Sequence, residues 1–388
     1  MLKTLTAYTT EVDDEQIAID EIKEQLDLER NLRANSVGII ACHYEFVLSG
    51  VAKALCEALP FDVVGTISAA QSVPGNTDIM NLTLMVLTSD ETEFSTALTE
   101  SLTDGAAEQS VTDGYKKAAN GKSEKPALIF AFGAFIPGNF GDQYEDALSK
   151  VSGDVPVFGT LAVDDTPDFS HSYMLYNGEE YRDKFAVILV YGDIKPKFFY
   201  ANVDLDKILG SSGVVTKSAG SVLMEVNDRP VIEYFESLGL VNATEHQYAM
   251  SSLPFLVDYK DGTPLVSKLF IMLTPEKYAV CGGVVPEGSS ITLATENADD
   301  ILSTTGVSLD ELDSALANAS GVLVYACISR LLTLGAKPFL EMNLVEGKIK
   351  ERVPFLTVYS GGEFCPTQVV ESKAANRFHN NAFIACVF

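Results

Sequence analysis

The chain has no apolar run approaching the roughly 18 residues that a membrane-spanning helix needs. Its opening residues, Met1-Leu-Lys-Thr-Leu-Thr-Ala-Tyr8, hold one lysine and no apolar stretch, so no secretory signal is expected there and the expected location is the cytoplasm. Basic residues are scarce. Lys and Arg number 27 against 54 Asp and Glu, which gives a formal net charge of −27 without any local Lys/Arg cluster. Such a field repels phosphate backbones and anionic lipid, so neither nucleic acid nor a membrane is expected as a partner. The excess acid reads as a solubility feature. None of the six cysteines (Cys42, Cys56, Cys281, Cys327, Cys365 and Cys386) lies in a CxxC or zinc-like spacing. The four histidines stand apart, with no HxH or HExxH, so no metal site or cofactor is expected.

What is present describes a globular chain. Its 388 residues, 47% apolar and 21% charged, are too many for one ordinary core. At about 150 residues per domain they suggest two to three units. The most informative stretch is near the end. An apolar strand over 353–360 runs into Gly361-Gly362-Glu363, and a second apolar strand follows over 379–388. An acidic side chain directly after a core strand, on glycine-permitted backbone, suits a binding pocket better than a surface loop.

The pattern of a strand, a helix and two further strands occurs three times. In the first pass a helix opens at Asp13, with Gln16 in capping-box spacing and Ile17, Ile19, Ile22 and Leu26 on one face. Strands are expected over 36–42, 61–68 and 81–88, with a helix over 49–59. Residues 91–119 read as one or two helices with a polar break at 103–105, and 121–126 as a linker. In the second pass strands fall at 127–132 and 155–162, with a helix over 140–151. Residues 172–176 and 184–191 read as a hairpin around Asn177-Gly178. In the third, strands fall at 321–327, 354–359 and 379–388, with a helix from Ser329. Repeats matter because they bring equivalent loops together, here those with Thr66 and Ser68, Asp164 and Asp165, and Gly361 and Glu363. Residues 195–293 differ, with short strands, many turns and a helix over 231–238. The expected fold class is therefore α/β (α+β), built of repeated β-α-β-β units with an inserted mostly β region. A boundary is expected at Val226-Asn-Asp-Arg-Pro230, dividing 35–225 from 226–388.

Several segments in order resemble the FIST N-terminal and C-terminal domains. Val64-Gly-Thr-Ile-Ser-Ala-Ala70 is a looser version of that family's Gly-Cys-Ser-Thr-like loop, and Gly159-Thr-Leu-Ala-Val-Asp164 is similar to its Gly-x-x-Ala-x-Asp loop. Val215-Thr-Lys-Ser218 and Asp228-Arg-Pro-Val-Ile-Glu-Tyr234 match its junction. Tyr325-Ala-Cys-Ile-Ser-Arg330, Glu341 and Gly362-Glu363 match its C-terminal signature, and His379-Asn-Asn-Ala382 lacks the family's threonine. The resemblance implies a sensory, signal-transduction domain that binds a small molecule, with amino acids proposed. Such domains are often fused to output domains. None is evident here, so the expected output is a separate signalling protein.

Arg330 follows a core strand at the start of a helix, where a cation opposes the helix dipole at a cost of about 0.3–1 kcal/mol. Two readings stay open: a grip on a bound carboxylate or other anion, or an internal ion pair with Glu341 or Glu363. In the first, Arg330 would hold a carboxylate while Glu363 or Asp164 holds an ammonium group. Asn380 reads as a structural hydrogen-bonder more than a contact, and Ser68 and Thr66 are weaker candidates. Cys327 with His379 as base would make a nucleophile pair, but no third orienting group is evident and a buried thiol fits the apolar run better. The segment 210–218 superficially resembles a phosphate loop but has Thr216 where a glycine should precede Lys217. The expected function is small-ligand sensing without catalysis. An enzyme acting on a small amino or carboxylic acid, or an interaction scaffold, is the alternative.

Overall fold

The structure is a computed structural model and describes residues 2–102, 107–136, 141–153, 155–240, 253–335, 337, 339–370 and 373–388. The expected polar break at 103–105, the helix start at Phe140 and His246 lie outside the described residues.

Three units repeat one plan, longer at its start than the pattern read from the sequence. Each opens with an edge strand, Lys3–Thr9, Glu93–Leu98 or Lys197–Ala201. A helix follows (Glu15–Leu26, Ala107–Ala118 or Ala298–Asp313). Next comes a parallel strand pair with a helical crossover: Asn35–Cys42 with Val63–Ile67, Leu128–Ala134 with Val157–Ala162, and Val322–Cys327 with Phe355–Ser360. A closing strand then lies antiparallel between the edge strand and the first of the pair. These are Leu82–Ser89, Ala186–Tyr191 and Phe383–Val387. The strands of the parallel pairs are buried almost throughout, as sheets covered on both faces require.

Alternation along these strands builds two layers. Val37, Ile39, Phe130, Phe132, Tyr325 and Ile384 share one central core common to all three sheets. The intervening residues face outward onto each unit's own helices, as Ile40 and Leu84 do beneath Ile22 and Leu55. At Gly65 and Gly159 the neighbouring strand comes so close that a Cβ would lie 1.8 Å from the Ile40 carbonyl oxygen and 1.9 Å from that of Ala131.

The units also exchange hairpins in a cycle. Gln71–Val73, which follows the first parallel pair, joins the third unit's sheet beside Phe355–Ser360. Met174–Tyr176, from the second unit, joins the first sheet beside Val63–Ile67. Glu363–Val370, from the third, joins the second sheet beside Val157–Ala162.

Several expectations are corrected. Residues 93–98 form a strand, because Phe94 and Leu98 pack on the central core while Ala97 faces the outer helices. The first helix is capped by Asp14, whose carboxylate accepts from Gln16 N and Ile17 N, and Ile17 is exposed. The Asn177-Gly178 turn joins Met174–Tyr176 to Glu179–Tyr181, while 186–191 belongs to another sheet.

The inserted region, between Lys197–Ala201 and the Ala298–Asp313 helix, is a closed barrel. Its strands run in the order Ile208–Ala219, Ser290–Ala294, Pro254–Asp258, Val266–Leu273, Ala279–Cys281 and Val222–Val226, and the last pairs back onto the first. The segment 210–218 is thus part of a long strand. Phe235, Phe255 and Phe270 fill the interior. Asn227 and Asp228, both left-handed, make the tight turn from Val222–Val226 to Arg229–Pro230. The division expected at 226–230 therefore falls on a hairpin of this barrel.

Candidate functional site

The loops after the three parallel pairs converge. Val163 N donates to Ile67 O at 3.3 Å and Gly361 N to Leu161 O at 2.8 Å, while Ser68 Oγ donates to Tyr359 O at 2.9 Å. Ser68, Asp164 and Glu363 are all buried around this junction. In open α/β sheets ligands sit at this end of the strands. Here it is closed, with the candidate groups inside.

Glu363 is wholly buried. Its Oε1 accepts from Ser360 Oγ at 2.6 Å, and its Oε2 has no hydrogen-bond partner. Burial pushes the carboxyl up to about 8, against the opposing pull of Ser360, Cys327, the Ala382 N–H and Arg330. None of the last three is hydrogen-bonded to Oε2. Across the strand pair Glu363 faces His379. The His379 Nε2 lies 3.1 Å from Cys365 O, its Nδ1 is unpartnered, and burial lowers the ring to about 3. The ring is therefore neutral with Nε2 protonated, which leaves Nδ1 a bare acceptor. Asn380 Oδ1 is a third buried polar atom without a partner. Buried polar atoms are rarely left unpaired, and here three lie on Glu363, its cross-strand partner His379 and the residue after it.

Arg330 belongs to a separate knot. Its Nε and Nη2 lie 2.9 and 2.8 Å from Glu341 Oε1. Nη2 also donates to Thr305 Oγ1 at 2.8 Å and Ile301 O at 3.2 Å, and Nη1 to Asn381 O at 3.4 Å. Glu296 stands 3.9 Å from Nη1. Glu341 also accepts from the Tyr359 hydroxyl at 3.2 Å. The guanidinium is filled by protein acceptors.

Asp164 is held locally. Its Oδ1 accepts from Ser172 Oγ at 2.7 Å and its Oδ2 from the Thr166 hydroxyl. Asp165 reaches His43 at 3.4 Å nearby. Ser68 Oγ is spent on the carbonyls of Ala70 and Tyr359, and Thr66 is buried within its strand. Cys327 lies next to Glu363, but burial pushes its thiol up to about 12 and the His379 ring is turned to Cys365 O. No Cys–His pair forms between them. Sequence reasoning missed Glu296, Ser360 and the buried Lys268–Asp142 pair (2.8 Å), which approaches the same strand end from the barrel. Only Glu296, just before the Asn297 cap, had a local signal.

Among the described residues no group of three or more His, Cys, Asp or Glu could hold a metal, and no helix is long and apolar enough to cross a membrane. A cavity of about 840 Å³ opens at the other end of the strands, between Leu2, Ile194, Ala319 and Phe388.

No curated protein matches the chain. Among solved structures, a cyanuric acid hydrolase from A. caulinodans is 8% identical, with TM-score 0.41, over 100% of this chain and 98% of that one. A second cyanuric acid hydrolase is 9% identical, with TM-score 0.39, over the same shares. Likeness at this level carries no argument about function. The FIST N domain model matches residues 36–229 and the FIST C domain model matches 232–366. Together they span most of the chain, which belongs to the FIST family.

Proposed function

We propose that this protein is an intracellular sensory module that binds a small ligand at the junction of the three repeat loops, without chemistry of its own. The observation that carries this reading is Glu363, a wholly buried carboxyl group with one oxygen unpartnered, on a glycine-rich turn where the repeats meet. His379 Nδ1 and Asn380 Oδ1, beside it, also lack donors. Such a site recognises a molecule that brings N–H groups. The amino end of an amino acid fits: entering as the free amine, it takes the proton that Glu363 holds in the empty site and leaves an ammonium–carboxylate pair. A ligand carboxylate on Arg330 would have to displace Glu341, so Arg330 and Glu341 serve to hold the floor of the site. Asp164, Asn380 and Ser68 line the junction. Cys327, kept as a thiol by burial, does not favour an acyl-transfer reading. The signal passes to a separate partner protein.

The test is a thermal-shift screen against the twenty amino acids and common carboxylic acids, repeated with Glu363→Gln. A ligand at about 100 times its Kd stabilises by about 2.7 kcal/mol, a shift of a few degrees. A hit lost in the variant supports the site. A hit that survives Glu363→Gln places binding elsewhere, and turnover of the bound molecule would replace sensing with catalysis.

A further inference from the structure

The buried site needs a way in, and the barrel supplies one. This inference rests on the ligand-binding reading above. The barrel has its own hydrophobic interior, which holds no residue of the three units. An apolar group of Val203, Leu256 and Ala294 marks its neck. There the chain enters and leaves side by side, with Ile208 opposite Ala294 and Thr295 N donating to Lys207 O at 3.0 Å. That is hinge geometry.

What holds the far side of the barrel to the body is polar. Lys268, wholly buried, places its ammonium 2.8 Å from Asp142 Oδ1 and 2.7 Å from Phe378 O. Asp142 Oδ2 accepts from Val284 N at 3.0 Å. Arg377 pairs with Asp261 and covers the Tyr259 ring at 4.8 Å. Asn380 N donates to Ser267 O at 3.0 Å. The barrel turn at Gly282-Gly283 presses in so tightly that a Cβ on Gly282 would stand 2.3 Å from Asn380 Oδ1, and one on Gly283 2.3 Å from Asp142 Oδ2. Every one of these contacts falls on strand Lys373–His379, on Asn380, or on the helix Asp142–Ser152. The same strand carries His379 opposite Glu363.

We infer that the barrel is a hinged cap over the Glu363 site, latched by Lys268–Asp142 and Arg377–Asp261 and opening about its two-chain neck to admit the ligand. Charge-latched interfaces between separate cores open more readily than apolar ones. A ligand that supplies donors to Asn380 and His379 from below alters the strand on which the latch is built, so occupancy and cap position are coupled.

The test needs no ligand, so its failure is distinct from failure of the ligand screen. Native alkylation of each cysteine is followed by mass spectrometry in the full chain and in two variants, Lys268→Met and the milder Asp261→Asn. Asp261→Asn touches only the exposed rim of the latch and keeps the question open if Lys268→Met does not fold. Opening of the cap is expected to speed modification of Cys327, beneath the Asn380–Ala382 turn, by about five- to thirtyfold. Cys42 and Cys56, in the first unit, and Cys386, in the central core, should stay at the parent rate. If Cys281 inside the barrel speeds up while Cys327 does not, the barrel loosens without uncovering the site and the inference fails. It fails equally if all six accelerate together, since the cap then has no motion of its own.

Discussion

Arg330 and Glu341, eleven residues apart in the chain, meet inside the third unit with Nη2 2.8 Å from Oε1 and neither side chain exposed. The pair answers the helix-dipole problem posed by a cation at a helix start, since Glu296 and the carbonyls of Ile301 and Asn381 add further acceptors. Removing one partner strands the other charge in the interior. Arg330→Ala should therefore cost about 3–5 kcal/mol in urea unfolding. The double variant Arg330→Met with Glu341→Met should cost less than Arg330→Ala. A single-variant loss below about 1 kcal/mol would mean that water reaches the pair.

Stability should fall as pH rises through neutrality. Glu363 binds its proton up to about 8 in the native state but, with an ordinary value of 4.5, releases it earlier when unfolded. Between those values the native state holds more protons, so each step up in pH favours unfolding. Glu145, raised to about 7 by burial, acts in the same direction. His379 acts on the acid side. Lowered from 6.5 to about 3, it stays neutral in the native state while the unfolded chain takes up a proton, so stability falls as pH drops through that window. Glu363→Gln should flatten the fall between pH 4.5 and 8 and leave the acid limb unchanged, as read from melting temperature against pH. An unchanged slope in both Glu363→Gln and Glu145→Gln would refute the assignment.

Gly65 and Gly159 occupy matching places in the first and second parallel pairs. A methyl group at either would stand within 1.9 Å of a backbone oxygen, which no rotamer can relieve. Gly65→Ala and Gly159→Ala should each destabilise by about 1–3 kcal/mol or more, as overpacking does. Gly306→Ala, with open space around it, is the control and should be neutral or stabilising in the same denaturant titration.

The strand-helix-strand rhythm of the units was legible because their strands are apolar on both faces and their helices amphipathic. Membership of the FIST family was legible too, from Gly159–Asp164, Tyr325–Arg330 and Gly362-Glu363 taken in order. Strand Glu93–Leu98 was not, since six residues with one aromatic satisfy either period, and only pairing with Ala186–Tyr191 decides the matter. The long barrel strand was hidden by its glycines and serines, which read locally as a loop. The latch Lys268–Asp142 joins residues 126 apart, and nothing near either one signals the other. The fate of Arg330 turned on the same limit. Its chemistry allowed a ligand or an ion pair, and the choice lay in side chains brought in from Thr305 and Glu341.

The cyclic exchange of hairpins sets a schedule for the chain as it is made. The first sheet waits for Met174–Tyr181, about a hundred residues after its parallel pair. The second waits much longer, because Val157–Ala162 has Glu363–Val370 as its neighbour. The early strand Gln71–Val73, paired on one side with Asn76–Asp78, must in turn keep its other edge open until Phe355–Ser360 emerges. For most of synthesis the nascent protein therefore carries apolar strands with open edges, a state that invites aggregation and calls for chaperone shelter.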